Sequence, residues 1–242
     1  MRLRVDLIPR PPYGESSVVL IDVLRATTSI ITLLEKGAKE VWVTPRISTA
    51  RQAAREGDLL LGEREGIPPE GFHYGTSPVE IAKLDVAGKR VIYTSDNLPT
   101  ALEKISYSGR VYLASFHNTA ALIKRLLKEV NESVAVVCAG FRGSEALDDA
   151  LAAGFIARSL HLKRGPDLRL GDAARLAASL LDAYANPVDG LWASASGRFL
   201  NRLGYGDDLA VASLIDISET VPILNRVRKI EGVPLYRFVT DA

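Results

Sequence analysis

Short apolar runs alternate with helix-like segments through the first two thirds of the chain, and this alternation limits the fold more than any other feature. The runs cover 17–21, 40–44, 58–62, 90–94, 110–114 and 134–140. Near-continuous apolar strands are typical of a sheet that is buried on both faces. Strands that alternate with helices predict an α/β protein with three layers, α/β/α, around a mainly parallel or mixed central sheet.

The last third of the chain has a different character. Alanine and leucine are frequent there, and their spacing predicts helices over 144–163, 170–185 and 189–203. A strand pair over 221–225 and 234–239 is predicted to close the fold. We therefore expect a helix-rich C-terminal third.

Length and composition indicate one folded unit. The chain has 242 residues, of which 47% are apolar, so it can bury a sizeable core. We interpret residues 1–242 as a single α/β domain. The segment KRGPD, 163–167, is the best candidate for a boundary between two subdomains, and a loop within one domain explains it equally well.

Charge, cysteine content and hydropathy limit which partners, disulfides and membrane segments the chain can have. The net charge is only +1, whereas a duplex-binding surface usually brings a basic excess, so we predict no nucleic-acid partner. The single cysteine, Cys138, excludes an intramolecular disulfide. No N-terminal run has the length of a signal peptide, and no segment approaches the ~20 apolar residues of a membrane span. We predict a soluble cytoplasmic protein with no membrane association, and leave a homodimer open.

The stretch IDVLRATTSI, 21–30, places polar residues where ligands bind in open α/β sheets, at the carboxyl end of a strand. Asp22 could hold a hard cation such as Mg²⁺ through oxygen. Arg25, Thr27 and Thr28 open the next helix and could hold an anion together with its backbone N–H groups. A simpler interpretation is equally supported here: Asp22 or Thr27 caps the helix, and Arg25 pairs with a surface acid.

A long loop, GEREGIPPEGFHYGTSP, follows the third strand at 62–78. Loops of this length in a compact domain are commonly functional. Glu63 and Arg64 could be a metal ligand and a phosphate clamp, or an ion pair that pins the loop. The loop ends in a capping box that begins with Ser77, so a helix starts there.

Later strand ends carry further candidates. Asn97 could orient a ligand or form a turn, and Asn118 could do the same or cap a helix. Gly140 and Arg142 could hold an anion, and Asp149 could be a second metal ligand or a general acid or base. The sequence contains no cysteine-phosphatase spacing, no Asp-x-Asp motif, no Walker loop and no zinc-type histidine spacing.

Together these motifs resemble the 2-phosphosulfolactate phosphatase family. The resemblance rests on IDVLRATTSI, GEREG…GF..G.SP, CAG..G…L.D…AG and SGRFLNRLGYGDDL, in the family's order, and spans roughly Val18 to Pro222. It implies a three-layer α/β/α fold and an Mg²⁺-dependent phosphatase of the kind associated with coenzyme M synthesis. The implied substrate is a small phosphorylated, sulfonated acid, which is hydrolysed to (R)-3-sulfolactate and phosphate.

The resemblance also assigns roles to residues. The catalytic set is Asp22, Arg25, Glu63 and Asp149, of which Asp22, Glu63 and Asp149 would hold Mg²⁺ or activate water. The phosphate-binding set is Thr27, Thr28, Arg64, Ser77, Asn97, Asn118, Gly140 and Arg142.

The chain departs from the family pattern around the expected pocket. Where the family has Thr-Asn-Gly-Thr, this chain keeps Asn97 but has Leu98 and Pro99 in place of Gly and Thr. Other departures are Glu65 for Gly, His73 for Asp, Thr76 for Asn and Asp148 for Glu. Two alternatives therefore stay open: a phosphatase for another small phosphorylated acid, and a non-catalytic anion-binding homologue.

The motif near the C-terminus has two interpretations. Asp207 and Asp208 could simply cap a helix and stabilise its dipole. Alternatively, Arg198 or Asp208 could reach the site from the C-terminal region.

Overall fold

The computed structural model describes residues 1–14, 16–105, 109–130 and 132–240. The strands are β1 (Arg2–Asp6), β2 (Ser17–Ile21), β3 (Glu40–Val43), β4 (Leu59–Gly62), β5 (Arg90–Thr94), β6 (Val111–Ala114), β7 (Ser133–Cys138), β8 (Arg169–Leu170), β9 (Ile223–Ile230) and β10 (Val233–Val239). The α-helices are α1 (Ala26–Glu35), α2 (Ile47–Ala53), α3 (Pro78–Ile81), α4 (Leu98–Lys104), α5 (Thr119–Glu129), α6 (Leu147–Arg164), α7 (Asp172–Ala183), α8 (Pro187–Ala193), α9 (Ala195–Arg202) and α10 (Gly206–Ala212).

All ten strands form one mixed sheet in the order β4-β5-β3-β10-β9-β6-β2-β7-β1-β8. Most neighbouring strands run parallel, and the antiparallel hairpin β9–β10 is inserted between β3 and β6. Because α1 leads from β2 to one side of the sheet and α5 leads from β6 to the other, the winding reverses near β2. The predicted three-layer α/β/α fold with a mixed sheet is confirmed.

Alternating side chains of β2 pack into different layers. Leu20 belongs to a core with Ile30 and Leu33 of α1 on one face. Ile21 belongs to a second core with Leu122 of α5 and Leu151 of α6 on the other face. A central strand that is buried on both faces must be apolar throughout, which explains the continuous run of residues 17–21.

The structure corrects three details of the sequence prediction. β1 (Arg2–Asp6) was missed because it alternates exposed and buried residues instead of forming an apolar run. β9 and β10 are longer than expected. The single helix predicted over 189–203 is wrong, because Ser194 ends α8 and its hydroxyl accepts the N–H of Gly197 to start α9 in a new direction.

The segment 163–167 joins two parts of the same sheet. α6 ends at Arg164, a 3₁₀ turn covers Gly165–Asp167, and β8 then pairs with β1. α7 packs so closely on α6 that a Cβ on Gly154 would lie 2.1 Å from the carbonyl oxygen of Ala177. Division into two subdomains at this point stays a prediction.

Across the part of the chain that the structure describes, the search for a helix of membrane-spanning length and hydropathy finds none.

Candidate functional site

A cleft opens at the carboxyl ends of β2, β4, β5 and β7, beside the point where the winding of the sheet reverses, which is the usual ligand position in such folds. It has about 490 Å³ of space between its walls, part of it open to solvent. Its walls are formed by Asp22, Leu24, Arg25, Ala26, Glu63, Glu65, Gly66, Thr76, Tyr93, Ser95, Asp96, Asn97, Phe141, Arg142, Ser196, Phe199 and Leu200. The cleft thus brings together five predicted site residues, namely Asp22, Arg25, Glu63, Asn97 and Arg142.

Asp22 follows the last residue of β2 and is almost fully buried, with 4% of its surface exposed. Its Oδ1 accepts a long hydrogen bond of 3.4 Å from the N–H of Ala26 in the first turn of α1. The N–H of Leu98, at the start of α4, also favours the charged form of its carboxylate. The carboxylate therefore lies between the first turns of two helices.

Asp148 and Asp149, at the start of α6, are equally buried next to Asp22. Asp149 accepts two backbone hydrogen bonds, one from Val23 at 2.8 Å and one from Gly140 at 3.0 Å. Since Val23 is the neighbour of Asp22, the ends of β2 and β7 and the first turn of α6 meet at one point. Asp148 accepts a hydrogen bond of 2.5 Å from the hydroxyl of Ser196, which lines the cleft.

These three carboxylates form no ion pair with any basic side chain of the described residues. Burial raises the pKa of Asp22 to about 7, and the charges of Asp148 and Glu63 act in the same direction. Burial also raises the pKa of Asp149, reinforced by Asp148 and Asp22, while burial raises the pKa of Asp148. Carboxylates in such a place bind protons or a cation readily, because ionising all three costs free energy.

Glu63 and Arg64 follow β4 but have different surroundings. Glu63 lines the cleft, and its carboxylate accepts the N–H groups of Gly66 and Asp96, both at 2.8 Å. Burial raises its pKa, and the nearby Asp96 adds to the increase. Arg64 does not line this cleft. Its guanidinium donates to the carbonyls of Glu63 and Pro45 and to the Thr94 hydroxyl, so in this structure it pins the loop.

Arg25 forms a buried ion pair with Asp208 of α10, with 2.9 Å between Nη1 and Oδ2. The two side chains are 3% and 1% exposed. Arg25 also donates to the carbonyl of Gly66 and lies over the ring of Tyr205. Asp208 accepts a second hydrogen bond, of 2.5 Å, from the hydroxyl of Ser77. Asp208 therefore connects the C-terminal helices to the helix start after β2, but its side chain does not line the cleft.

Four other predicted phosphate-binding residues bond to the protein itself. The hydroxyls of Thr27 and Thr28 donate to the carbonyls of Asp22 and Val23. The side chain of Asn118 accepts the N–H of Ser115 and donates to the carbonyls of Leu113 and Thr220, and the N–H of Gly140 donates to Asp149. None of the four lines the cleft. Their geometry supports the loops that carry the cleft residues, and their assignment to phosphate stays a prediction.

Arg142 lies at the mouth of the cleft without a carboxylate partner among the described residues. Its guanidinium lies over the rings of Phe199 and Phe141, with 4.8 and 5.3 Å to the ring centroids. Its backbone N–H donates to the side chain of Asn97. Because Arg25 and Arg64 have internal partners, Arg142 is the arginine best able to meet an anion in the cleft.

Buried hydroxyls without a hydrogen-bond partner face the same space. Thr76 Oγ1 and Ser95 Oγ are shielded from solvent, make no hydrogen bond with any of the described residues, and belong to residues that line the cleft. Buried polar groups are rarely left unpaired in folded proteins. These hydroxyls therefore indicate a ligand or ordered water in the cleft.

The side chains of the described residues supply only part of the ligand set that a hard cation needs. Among the described residues, no three His, Cys, Asp or Glu side chains converge on a point that could hold a metal ion. Mg²⁺, however, is usually held by one or two carboxylates together with substrate phosphate and water. Asp22 and Glu63 both line the cleft, and their oxygen chemistry and raised pKa values suit that arrangement.

The residues at which this chain differs from the family pattern occupy different parts of the site. Leu98 and Pro99 are buried in the first turn of α4, so the cleft meets only Ser95, Asp96 and Asn97 from that segment. Glu65, which stands where the family has Gly, has a φ of +49°, a conformation that favours glycine. Of the substituted positions, Glu65 and Thr76 both line the cleft, so these two substitutions change its surface.

Sequence reasoning missed several residues of the site. Asp148, which contacts Ser196, was noted only as a substitution. Ser196 and Phe199 line the cleft but were not singled out, although they belong to the motif SGRFLNRLGYGDDL. A break in the helical pattern at Ser194, which is an N-cap residue type, was the signal that this segment turns toward the site.

We predict that Asp208→Asn lowers the free energy of unfolding by about 3–5 kcal/mol, because Arg25 then keeps a buried charge without its partner. Asp207→Asn is the matched control, since its side chain is exposed at the neighbouring position, and we expect a change of less than about 0.5 kcal/mol. Urea unfolding of both variants measures the difference. Equal stability of the two variants would contradict the role assigned to Asp208.

Comparison with known proteins gives a consistent result. The family model described as 2-phosphosulpholactate phosphatase matches residues 3–226. A protein of Deinococcus radiodurans named "Probable 2-phosphosulfolactate phosphatase" is 42% identical over 228 residues, which cover 93% of each chain. Proteins with the same name from Thermus thermophilus and Thermotoga maritima are 34% and 35% identical, and the matches cover 93% and 91% of this chain and 94% and 95% of theirs. This chain therefore belongs to the 2-phosphosulpholactate phosphatase family and is a phosphoric monoester hydrolase, as the sequence motifs predicted.

Proposed function

We propose that the cleft hydrolyses the phosphate ester of 2-phosphosulfolactate, giving (R)-3-sulfolactate and inorganic phosphate, with Mg²⁺ as cofactor. The observation that carries this proposal is the buried group of Asp22, Asp148 and Asp149 beneath a cleft with unpaired hydroxyl groups. Family membership and the names of the relatives support the substrate. The resemblance also supports a place in coenzyme M formation, and the single cysteine fits a cytoplasmic location; both are proposals.

Substrate binding would use the groups that the protein leaves free. The phosphate would accept hydrogen bonds from Thr76 and Ser95, whose hydroxyls have no partner in the structure. Arg142, at the mouth, would pair with the second acidic group of the substrate, because it is exposed and its guanidinium has no carboxylate partner among the described residues. Asn97 would hold Arg142 in place through the hydrogen bond to its backbone N–H.

Asp22 and Glu63 would hold Mg²⁺, which would supply positive charge to the phosphoryl oxygens and to the attacking water. The two side chains approach the cleft from the ends of β2 and β4. Asp149 would keep these loops in register through its hydrogen bonds to Val23 and Gly140. This division assigns Asp149 to positioning and leaves the cation to the carboxylates that face the cleft.

The Ser196–Asp148 pair would transfer the proton of the attacking water to the leaving group. A water oxygen forms the new bond to phosphorus while the ester oxygen leaves with the bonding electrons. Asp148, whose pKa is raised by burial, accepts the water's proton through the Ser196 hydroxyl and returns it to the departing oxygen. The products are an alcohol and phosphate, and Asp148 ends the cycle unchanged.

Phosphate release from a panel of phosphorylated hydroxy acids, with Mg²⁺ and with a chelator, tests this function. We expect the highest kcat/KM for 2-phosphosulfolactate and loss of turnover in the chelator. A higher kcat/KM for a carboxylated analogue would replace the proposed substrate with another small phosphorylated acid. Binding of the whole panel without phosphate release would favour the non-catalytic alternative.

We predict that Asp22→Asn lowers Mg²⁺-dependent turnover about a hundredfold or more while the protein stays folded, because the amide keeps the shape and removes the charge. Asp207→Asn, on the exposed start of α10, is the control for an equal change of charge. Steady-state kinetics and circular dichroism measure both properties. A folded Asp22→Asn protein with full turnover and unaltered Mg²⁺ dependence would refute the role of Asp22.

The raised pKa of Asp22, about 7, also predicts how metal-free stability depends on pH. Between about pH 4 and pH 7 the folded state binds this proton more tightly than the unfolded state. The free energy of unfolding should therefore fall as pH rises through this window, and the decrease should be complete above pH 7. Asp22→Asn should lack this component. Urea unfolding of both proteins in a chelator at pH 5, 6, 7 and 8 measures how the free energy of unfolding depends on pH. The same pH dependence in the wild-type protein and in Asp22→Asn would contradict this prediction.

A further inference from the structure

A second pocket, of about 670 Å³ including open solvent, lies on the face of the sheet that α2 covers and shares no residue with the cleft. Its walls come from β3, β5, β9, β10 and the loop after α2. Five arginines line it, namely Arg55, Arg90, Arg226, Arg228 and Arg237. We call this group the arginine pocket.

Strand register explains how these arginines converge. Arg237 of β10 lies between Trp42 of β3 and Arg226 of β9, and directly paired residues point to the same face of a sheet. Arg228 lies two residues further along β9, so its side chain is on the same face, and its guanidinium is 4.6 Å from the Trp42 ring centroid. The inserted hairpin therefore brings basic residues from the end of the chain onto β3.

Carboxylates neutralise only part of this charge. Glu40 pairs with Arg237 at 2.5 Å and with Arg90 at 3.4 Å, and Asp58 pairs with Arg90 at 2.6 Å. Within the described residues, Arg55, Arg226 and Arg228 have no carboxylate within ion-pair distance. A protein whose net charge is only +1 thus concentrates three uncompensated cations in one concave place.

The pocket also contains an unsatisfied donor. Nε of Arg228 is shielded from solvent and has no hydrogen-bond partner among the residues that the structure describes. Burial lowers the pKa of Arg90, which Asp58 opposes, and the charges of Arg55 and Arg228 lower it further. Mutual repulsion and an unpaired donor both disfavour the empty pocket, so an anion that supplies oxygen atoms would relieve both.

We propose that the arginine pocket is a second, non-catalytic site that binds a small phosphate-type anion. Guanidinium groups match the oxygens of phosphate with two parallel hydrogen bonds, and three unpaired cations favour a multivalent anion over a single carboxylate. The side chains of Arg226 and Arg228 are the main ligands, and Trp42 is the platform on which Arg228 stacks.

Trp42 provides a reporter within the pocket itself. The chain has two tryptophans, so Trp192→Phe leaves Trp42 as the only source of indole fluorescence. In this background, inorganic phosphate and pyrophosphate are titrated with a chelator present and with potassium chloride as the control for ionic strength. We expect a saturable change in Trp42 emission for both anions, tighter binding of pyrophosphate, and no saturable change with chloride.

Arg226→Gln/Arg228→Gln should weaken both affinities at least tenfold. Arg169→Gln/Arg175→Gln is the matched control, because it removes the same charge from exposed positions near the β8 edge and should leave the titration unchanged. The double variant should be folded and no less stable than its parent without anion, since it removes like charges. Phosphate should raise the Tm of the parent and of the control more than that of the variant, in which the cleft is left as the proposed phosphate site.

Three results would overturn the proposal. One is an equal response in the Arg226→Gln/Arg228→Gln protein, and another is a response to chloride that matches phosphate at the same ionic strength. The third is the absence of saturable binding both by fluorescence and by calorimetry. If the double variant does not fold, Arg228→Lys replaces it, because this change keeps the charge but removes the stacked, planar donor, and we again expect weaker binding of pyrophosphate.

Discussion

The burial of Asp22, Asp148 and Asp149 at one point is the constraint on which the rest of the site depends. Three carboxylates with raised pKa values and no basic partner among the described residues are costly to keep ionised. Backbone N–H groups from the ends of β2 and β7 and from the start of α1 share part of this cost. What remains is a local demand for positive charge, which is the property that a site for phosphate esters and a divalent cation requires.

The C-terminal helices complete the site from the other side of the cleft. α9 contributes Ser196, whose hydroxyl connects Asp148 to the cleft, and Phe199, which supports Arg142. α10 contributes Asp208, which neutralises Arg25. As a result, Arg25 is held by partners within the protein, whereas Arg142, which has no carboxylate partner among the described residues, lies at the entrance. The positive charge that a substrate can contact therefore lies at the mouth of the cleft and not at its floor.

The cleft and the arginine pocket each concentrate charge of one sign, and the two signs are opposite. In the cleft, buried acids lack bases, and around Trp42, arginines outnumber acids. Both arise where strands of distant sequence become neighbours: β2 with β7 in one case, and β3 with the β9–β10 hairpin in the other. Since the overall charge nearly cancels, composition gives no sign of either concentration of charge.

The sequence by itself determined the fold class, because continuous apolar strands separated by helices have few alternatives to a covered, mostly parallel sheet. It also placed Asp22, Glu63, Asn97 and Arg142 at strand ends, where the structure forms its cleft. The family motifs identified the chemistry, since their residues and order are specific.

Only the tertiary structure decided which of these residues remain free for a ligand. A sequence shows that Arg25, Arg64 and Arg142 follow strands, but it does not show that Asp208 neutralises the first and that backbone carbonyls occupy the second. Likewise, local patterns cannot reveal that Asp148 reaches the cleft through Ser196, or that β9 and β10 place arginines beside Trp42. Partners that are 19 residues apart, as Arg64 and Pro45 are, or 183 residues apart, as Arg25 and Asp208 are, are chosen by packing, and local propensity contains no record of that choice.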